Sequence, residues 1–339
     1  MTDHQVRFGL VGAGSIAQTY AQILDPTDWG RLEAVADVRF EAAAALAEAQ
    51  GARAFASHQA LAEEADVDAV IVCTPPSSHP DICVYFLERQ VPVLCEKPLS
   101  IDSAGARRML AAAQRGRTLF TMASKFRYVE DVVRARSILL SGILGDIVLF
   151  ENAFATRVDM SARWNSNPAI SGGGVLIDNG THSLDLMRYL LGPLAEVQVI
   201  EGKRNQGLLV EETVRVFVRT QSGVMGSIDL SWSIQKELDN FIAVYGSHGT
   251  VTVGWRESKY RQSSSRDWVV FGNGYNKTQA LRAQMTNFAR AIRSEEKLLI
   301  SPEEAVASVE VIEAAYRALR QNQWTRICVD EPEPVAAGA

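Results

Sequence analysis

The stretch Val6 to Ala17, VRFGLVGAGSIA, limits what this chain can fold into more than any other. Its opening is mostly apolar and reads as a short buried strand, and it runs straight into Gly12-x-Gly14-x-x-Ala17. Ile16 and Ala17 then open a helical pattern that continues through Leu24. Strand, tight turn and helix in that order are the parts a dinucleotide site requires. Gly12 makes the turn, Gly14 lets the backbone approach a pyrophosphate, and small Ala17 lets the helix start pack on the strand. Candidate cofactor contacts here are Gly12, Gly14, Ser15 and Ile16. A second apolar run, Leu32 to Ala36, leads to Asp37, where an acid on the adenosine ribose is expected. Its carboxylate would repel a 2′-phosphate, so NAD is expected over NADP. Arg39 points to the same region and keeps NADP possible, because a guanidinium pairs with phosphate. The alternative is that Asp37 caps a helix beginning near Glu41 and Arg39 is solvated surface.

The next segments continue a doubly wound pattern. Glu41 to Gln50 reads as a helix stopped by Gly51, Phe55 marks a short strand, and His58 to Ala65 reads as another helix. Asp68 to Cys73, DAVIVC, has the continuous apolar character of a strand buried on both faces, which predicts a parallel sheet with crossover helices. It runs into Thr74-Pro75-Pro76-Ser77-Ser78-His79, at the carboxyl edge where such sheets bind ligands. Thr74, Pro75 and His79 are candidate cofactor contacts, with His79 alternatively a packed cap of the helix Pro80 to Arg89. The strand Val91 to Cys95 delivers Glu96-Lys97-Pro98 to the same edge. These two charges need water, each other or a ligand, so Glu96 and Lys97 are candidates for the site, with a structural ion pair as the alternative. A helix from Ser103 to Arg115 and a strand from Thr118 to Ala123 complete a first domain, expected over 1–124.

A second domain is expected over 125–328. A helix over Phe126 to Leu140 places Arg127 at the junction. Strands follow at Ile147 to Ala155, Val197 to Ile200, Thr213 to Arg219, Val224 to Trp232 and Phe241 to Tyr245. Their alternation predicts an α/β domain on a large, mostly antiparallel open sheet. Its uncovered face would pair with another subunit, giving a homodimer or homotetramer. Between the first two strands lie Arg163-Trp164-Asn165 and the run Gly172-Gly173-Gly174 to Asp178 and His182, then a helix Ser183 to Leu191. Asp178 and His182 are four apart. On a helical turn they share a face, where the carboxylate can orient the imidazole or the two form a structural pair. Asp185 supports or caps. Helices are expected at Gln279 to Ile292 and Ser301 to Arg320, the second with Ser301, Pro302 and Glu304 as capping signals. Trp164 is a candidate at the cofactor, and Arg127, Asn165 and Tyr275 are candidates at a substrate. Pro and Ala punctuate a flexible tail, 329–339.

Composition narrows the partners. Lys and Arg number 34 against 40 Asp and Glu, a net charge of −6 with no basic block, which argues against nucleic acid. No apolar run reaches membrane-spanning length, and the first strand starts too early for a secretory leader. Cys73, Cys83, Cys95 and Cys328 lack metal-ligand spacing, so free thiols in a reducing cytoplasm and no metal are expected.

Together, the Gly12-x-Gly14-x-x-Ala17 turn, Asp37, the Thr74 to His79 loop, Glu96-Lys97-Pro98 and the glycine run ending in Asp178-x-x-x-His182 resemble the family of glucose-fructose oxidoreductase and inositol 2-dehydrogenase. The resemblance implies a Rossmann domain followed by an α/β domain whose open sheet supports oligomer contacts. It also implies NAD(P)-dependent hydride transfer to or from a sugar, polyol or related compound. Lys97, Asp178 and His182 match the family's catalytic positions, and Trp164 matches a region that borders nicotinamide or substrate. On this reading His182 takes the hydroxyl proton while Lys97 bonds the same oxygen. Two alternatives remain: elimination or hydrolysis of a sugar through transient oxidation with recycled cofactor, and a non-catalytic nucleotide-sensing or interaction protein.

Overall fold

Short, continuously apolar segments build a first sheet that helices cover on both faces. The computed structural model describes residues 5–24 and 28–327, so Cys328 and the expected tail lie outside the described residues. The chain begins β1 (Val6–Val11), α1 (Ser15–Leu24), β2 (Gly30–Ala36), α2 (Phe40–Gln50), β3 (Arg53–Phe55), α3 (His58–Glu64) and β4 (Ala69–Val72). It continues α4 (His79–Leu87), β5 (Val93–Glu96), α5 (Ser103–Gly116) and β6 (Phe120–Ala123). These six strands lie in the order β3-β2-β1-β4-β5-β6 and every pairing is parallel. The order reverses between β1 and β4, which opens a crevice at the carboxyl ends of those strands.

The rest of the chain builds a second sheet. Its elements are α6 (Glu130–Leu140), β7 (Ile147–Ala155), α7 (Pro168–Ser171), α8 (Val175–Leu191), β8 (Leu194–Glu201), β9 (Thr213–Thr220), β10 (Met225–Ser231) and β11 (Asn240–Gly246). Then come β12 (Gly249–Gly254), β13 (Ser258–Gln262), β14 (Val269–Gly272), α9 (Lys277–Ile292), α10 (Pro302–Gln321) and β15 (Thr325–Arg326). The nine strands run β14-β13-β12-β11-β7-β10-β9-β8-β15, antiparallel except for β7 with β10. Alternation sorts the faces: in β9, Val214, Val216 and Val218 are buried while Arg215 and Arg219 are exposed. The inner face packs on α6, α8 and α10 through Val132, Leu184, Met187 and Val311.

Several expectations shift. The helix expected over Phe126 to Leu140 is two pieces, a 3₁₀ turn Lys125–Tyr128 and then α6, divided at extended Val129. The break lets neighbouring side chains serve different cores: Phe126 packs under the second sheet and Tyr128 against the first. The helix expected from Ser183 begins at Val175, so Asp178 and His182 are both helical. The C-terminal helices are not confined to the second sheet. Leu281, Met285 and Phe288 of α9 pack with β1 and α1, and Val306 and Val309 of α10 pack with β5 and β6. Ser301 caps α10 through Glu304 N–H at 3.2 Å, but the Glu304 carboxylate goes to Arg127 instead of closing the capping box.

Candidate active site

At the cofactor end, Gly12 adopts φ +99°, and a Cβ there would lie 2.9 Å from the Cys73 carbonyl carbon. Gly14 is the reverse case. A Cβ on it meets no atom within 4 Å, so its backbone faces open space. Ser15 and Ile16 open α1, and their amides have no protein acceptor among the described residues. A helix start with free amides beside an unobstructed glycine suits a pyrophosphate. Asp37 closes this end: its carboxylate accepts the N–H of Ala13 and of Arg39, each at 2.8 Å. It does not cap α2, whose N-cap is Arg39. The Arg39 guanidinium is largely exposed, 3.6 Å from Asp37 Oδ1.

Thr74 and Pro75 follow β4 in the expected loop, half-buried at the sheet edge. His79 corrects the expectation of cofactor contact. It is fully buried, with Nδ1 3.0 Å from the Pro98 carbonyl oxygen and Nε2 2.7 Å from that of Thr74. The ring ties the loop after β4 to the turn after β5, and burial lowers its pKa. Glu96 is likewise engaged: Tyr20 Oη donates to Oε1 at 2.7 Å and the Lys97 N–H to Oε2 at 3.1 Å. Burial raises the Glu96 pKa against those bonds.

The two sheets meet at Lys97. Its Nζ donates to Asp178 Oδ1 at 2.5 Å and to the Asp178 carbonyl at 3.2 Å, across 81 residues of sequence. Both side chains are mostly covered, which strengthens the pair relative to a surface bridge. His182 sits one turn along α8 and is buried. The expected orientation of its ring by Asp178 is not what the structure shows, because that carboxylate reaches Lys97. The imidazole packs edge-on to Phe126 at 4.9 Å, and Nδ1 has no partner among the described residues. Burial first, then the charges of Lys97 and Lys125, hold its pKa well below the usual imidazole value. The ring is therefore neutral, with a free nitrogen, at physiological pH.

Four further candidates fall differently. Arg127 is not at the substrate end: its guanidinium bonds Asp185 at 2.7 and 2.9 Å and Glu304 at 3.0 Å, and it is 1% exposed. Asp185 also accepts from Ser124 and Ser308, so this is a buried structural hub. Tyr275 does reach the neighbourhood of His182, stacking on Phe126 at 5.0 Å. Trp164 and Asn165 form a 3₁₀ turn on the connection after β7, with Trp164 exposed, and neither has a hydrogen bond or ring contact with Lys97, Asp178 or His182. That turn packs on α7, which in turn contacts the Pro76–Ser78 turn of the first domain. The glycines before α8 are required by crowding: a Cβ on Gly174 would lie 2.0 Å from the Glu211 carbonyl oxygen.

Sequence reasoning missed Lys125. It begins the 3₁₀ turn after β6, its charge acts on Glu96 and His182, and Lys97 and Asp178 act on it in turn. The only sequence signal was a lysine at the end of an apolar parallel strand, the same signal that singled out Lys97.

A glycine turn and open helix start on one sheet, joined through the Lys97–Asp178 contact to the helix that carries His182 under the other, have the make-up of an NAD-binding oxidoreductase. Residues 6–124 match the oxidoreductase family with an NAD-binding Rossmann fold, and residues 132–252 match the GFO/IDH/MocA C-terminal domain. The chain is 30% identical to trans-1,2-dihydrobenzene-1,2-diol dehydrogenase from Bos taurus, over 72% of this chain and 72% of that protein. It is 27% identical to inositol 2-dehydrogenase from Rhizobium meliloti, over 95% of this chain and 99% of that protein. The crystal structure of GenD2 from gentamicin A biosynthesis in complex with NAD superimposes with TM-score 0.84 at 25% identity, covering 96% of this chain and 97% of that one. The chain belongs to the GFO/IDH/MocA oxidoreductase family.

Proposed function

We propose that this protein oxidises a CH–OH carbon of a sugar, polyol or related compound, or reduces the matching carbonyl, using NAD. The observation that carries the reading is the Lys97 to Asp178 contact, which joins the two sheets one helical turn from a neutral His182. Gly12, Gly14, Ser15, Ile16 and Asp37 would hold the cofactor, with Thr74 and Pro75 at the sheet edge. When bound, its nicotinamide supplies the acceptor for the electron pair leaving the substrate carbon. His182 takes the hydroxyl proton, which a neutral imidazole can do and an imidazolium cannot. Lys97 has one further N–H to offer the same oxygen while Asp178 balances its charge. In the reductive direction the same groups return the proton. Asp37 favours NAD over NADP, since a 2′-phosphate would meet its carboxylate.

The dehydrogenase of dihydrodiols and the inositol dehydrogenase named above support a hydroxylated ring or chain as substrate. The half-exposed outer face of the second sheet, with Met225 and Ile200 largely uncovered, supports assembly into a homodimer or homotetramer. The test is calorimetric titration with NAD and NADP, followed by an absorbance screen of sugars and polyols in both directions. NADH accumulating in step with product supports net oxidation. Product formed without NADH assigns cofactor recycling, and tight NAD binding with no turnover across the panel refutes the enzyme reading.

A further inference from the structure

Lys125 stands beside the proposed proton-handling groups without an ion pair among the described residues, and Glu96 and Asp178 attract it only from beyond ion-pair distance. Parallel register pairs Glu96 with Ala123, so Lys125 leaves the sheet edge next to the strand that delivers Lys97. Its Nζ lies 5.1 Å from the centre of the Phe126 ring, the same ring that the His182 imidazole meets edge-on. Among the described residues no carboxylate pairs with it. Glu96 gives its oxygens to Tyr20 and the Lys97 N–H, and Asp178 Oδ1 is taken by Lys97 Nζ. Lys277, which opens α9 after its N-cap Asn276, adds positive charge at the exposed rim. Burial, then repulsion from Lys97, brings the Lys125 pKa down to about 8, so most of it is still charged at neutral pH.

A surface lysine needs no partner because water solvates it. A largely covered one beside two other lysines is held against both desolvation and repulsion, and an arriving anion relieves both. We propose that the substrate is a polyhydroxy compound bearing an anionic group, carboxylate or phosphate, which Lys125 receives beside Lys97 and His182 with Lys277 at the entrance. This rests on the hydroxyl-oxidation reading and narrows its substrate class.

The test is calorimetry on the NADH-loaded enzyme with D-gluconate, D-glucuronate and D-glucose 6-phosphate, against the uncharged D-glucitol and D-glucose. At least one anion should bind about 10-fold to 100-fold more tightly than its uncharged counterpart, the scale of one charge-assisted hydrogen bond. The preference should collapse in Lys125→Met and return in Lys125→Arg, with NADH affinity showing that both variants are folded. Carboxylate and phosphate arms separate the two anion sources. Equal binding of charged and uncharged compounds, no binding of any anion, or a preference that survives Lys125→Met overturns the proposal. An anion preference without NAD reduction by any compound instead places the failure in the hydroxyl-oxidation reading.

Discussion

Adding carbon at Gly14 and at Gly12 separates cofactor binding from folding. At Gly14 a Cβ finds no protein atom within 4 Å, so the first carbon of Gly14→Val enters the space assigned to the pyrophosphate without a protein contact. Away from packed positions a substitution changes stability by about 0.5 kcal/mol or less. NAD affinity should fall at least about 10-fold, or about 1.4 kcal/mol. At Gly12 the backbone has φ +99°, and the new carbon meets the backbone of Cys73 and Thr74 at 2.9 to 3.0 Å. An L-residue in left-handed backbone costs about 1–2 kcal/mol before that contact is counted. Gly12→Ala should therefore destabilise the protein by more than this. Urea unfolding and NAD calorimetry on both variants read the two effects apart. NAD affinity unchanged in Gly14→Val, or equal destabilisation by the two substitutions, would refute the assignment of this space.

Arg127→Met leaves Asp185 buried with Ser124 and Ser308 as hydrogen-bond donors and Arg188, 3.9 Å away, as its remaining counter-charge, and should cost about 3–5 kcal/mol in urea unfolding. A loss under 1 kcal/mol, on the order of a surface pair, would contradict its place as a buried hub. His79 and His182 have folded pKa values lowered by burial, so below the usual imidazole value of about 6.5 the unfolded chain binds protons that the fold refuses. The contribution of these two histidines to stability should be level above that pH and fall below it, by up to about 1.4 kcal/mol per pH unit for each. Unfolding free energies that stay flat as the pH is lowered to about 5 would contradict this. Asp37→Ser should narrow the preference for NAD over NADP in paired titrations, and an unchanged ratio would remove Asp37 from cofactor choice.

What sequence revealed was local, and what it hid was distant. Gly12, Gly14 and Lys97 were legible because a turn or strand end and its few neighbours define them. The spacing of Asp178 and His182 puts both on one face only if their turn is helical, and the helix is expected from Ser183, eight residues after its start at Val175; what the carboxylate meets stayed hidden, since Lys97 lies 81 residues earlier. Arg127 reads as a free charge at a junction until Asp185 and Glu304 arrive, 58 and 177 residues later. His79 carries a ligand-like residue type in a ligand-like loop, and only the fold shows two backbone carbonyls closing on its ring. The strands β12 to β14 escaped because Gly249 and Gly254 bound one of them and Lys, Arg and Gln dominate the next, which blurs alternation. Lys125 belongs to no motif, and its meaning comes from strand order.

Turnover and NAD affinity measured together in Lys97→Ala and His182→Ala test the account most directly, with each variant's fold checked by urea unfolding. The account predicts kcat/KM lower by about 10² to 10⁴ in each, the scale of a positioned acid or base, with NAD binding little changed. Near-normal turnover in either variant, or turnover that falls only in step with NAD affinity, would contradict it.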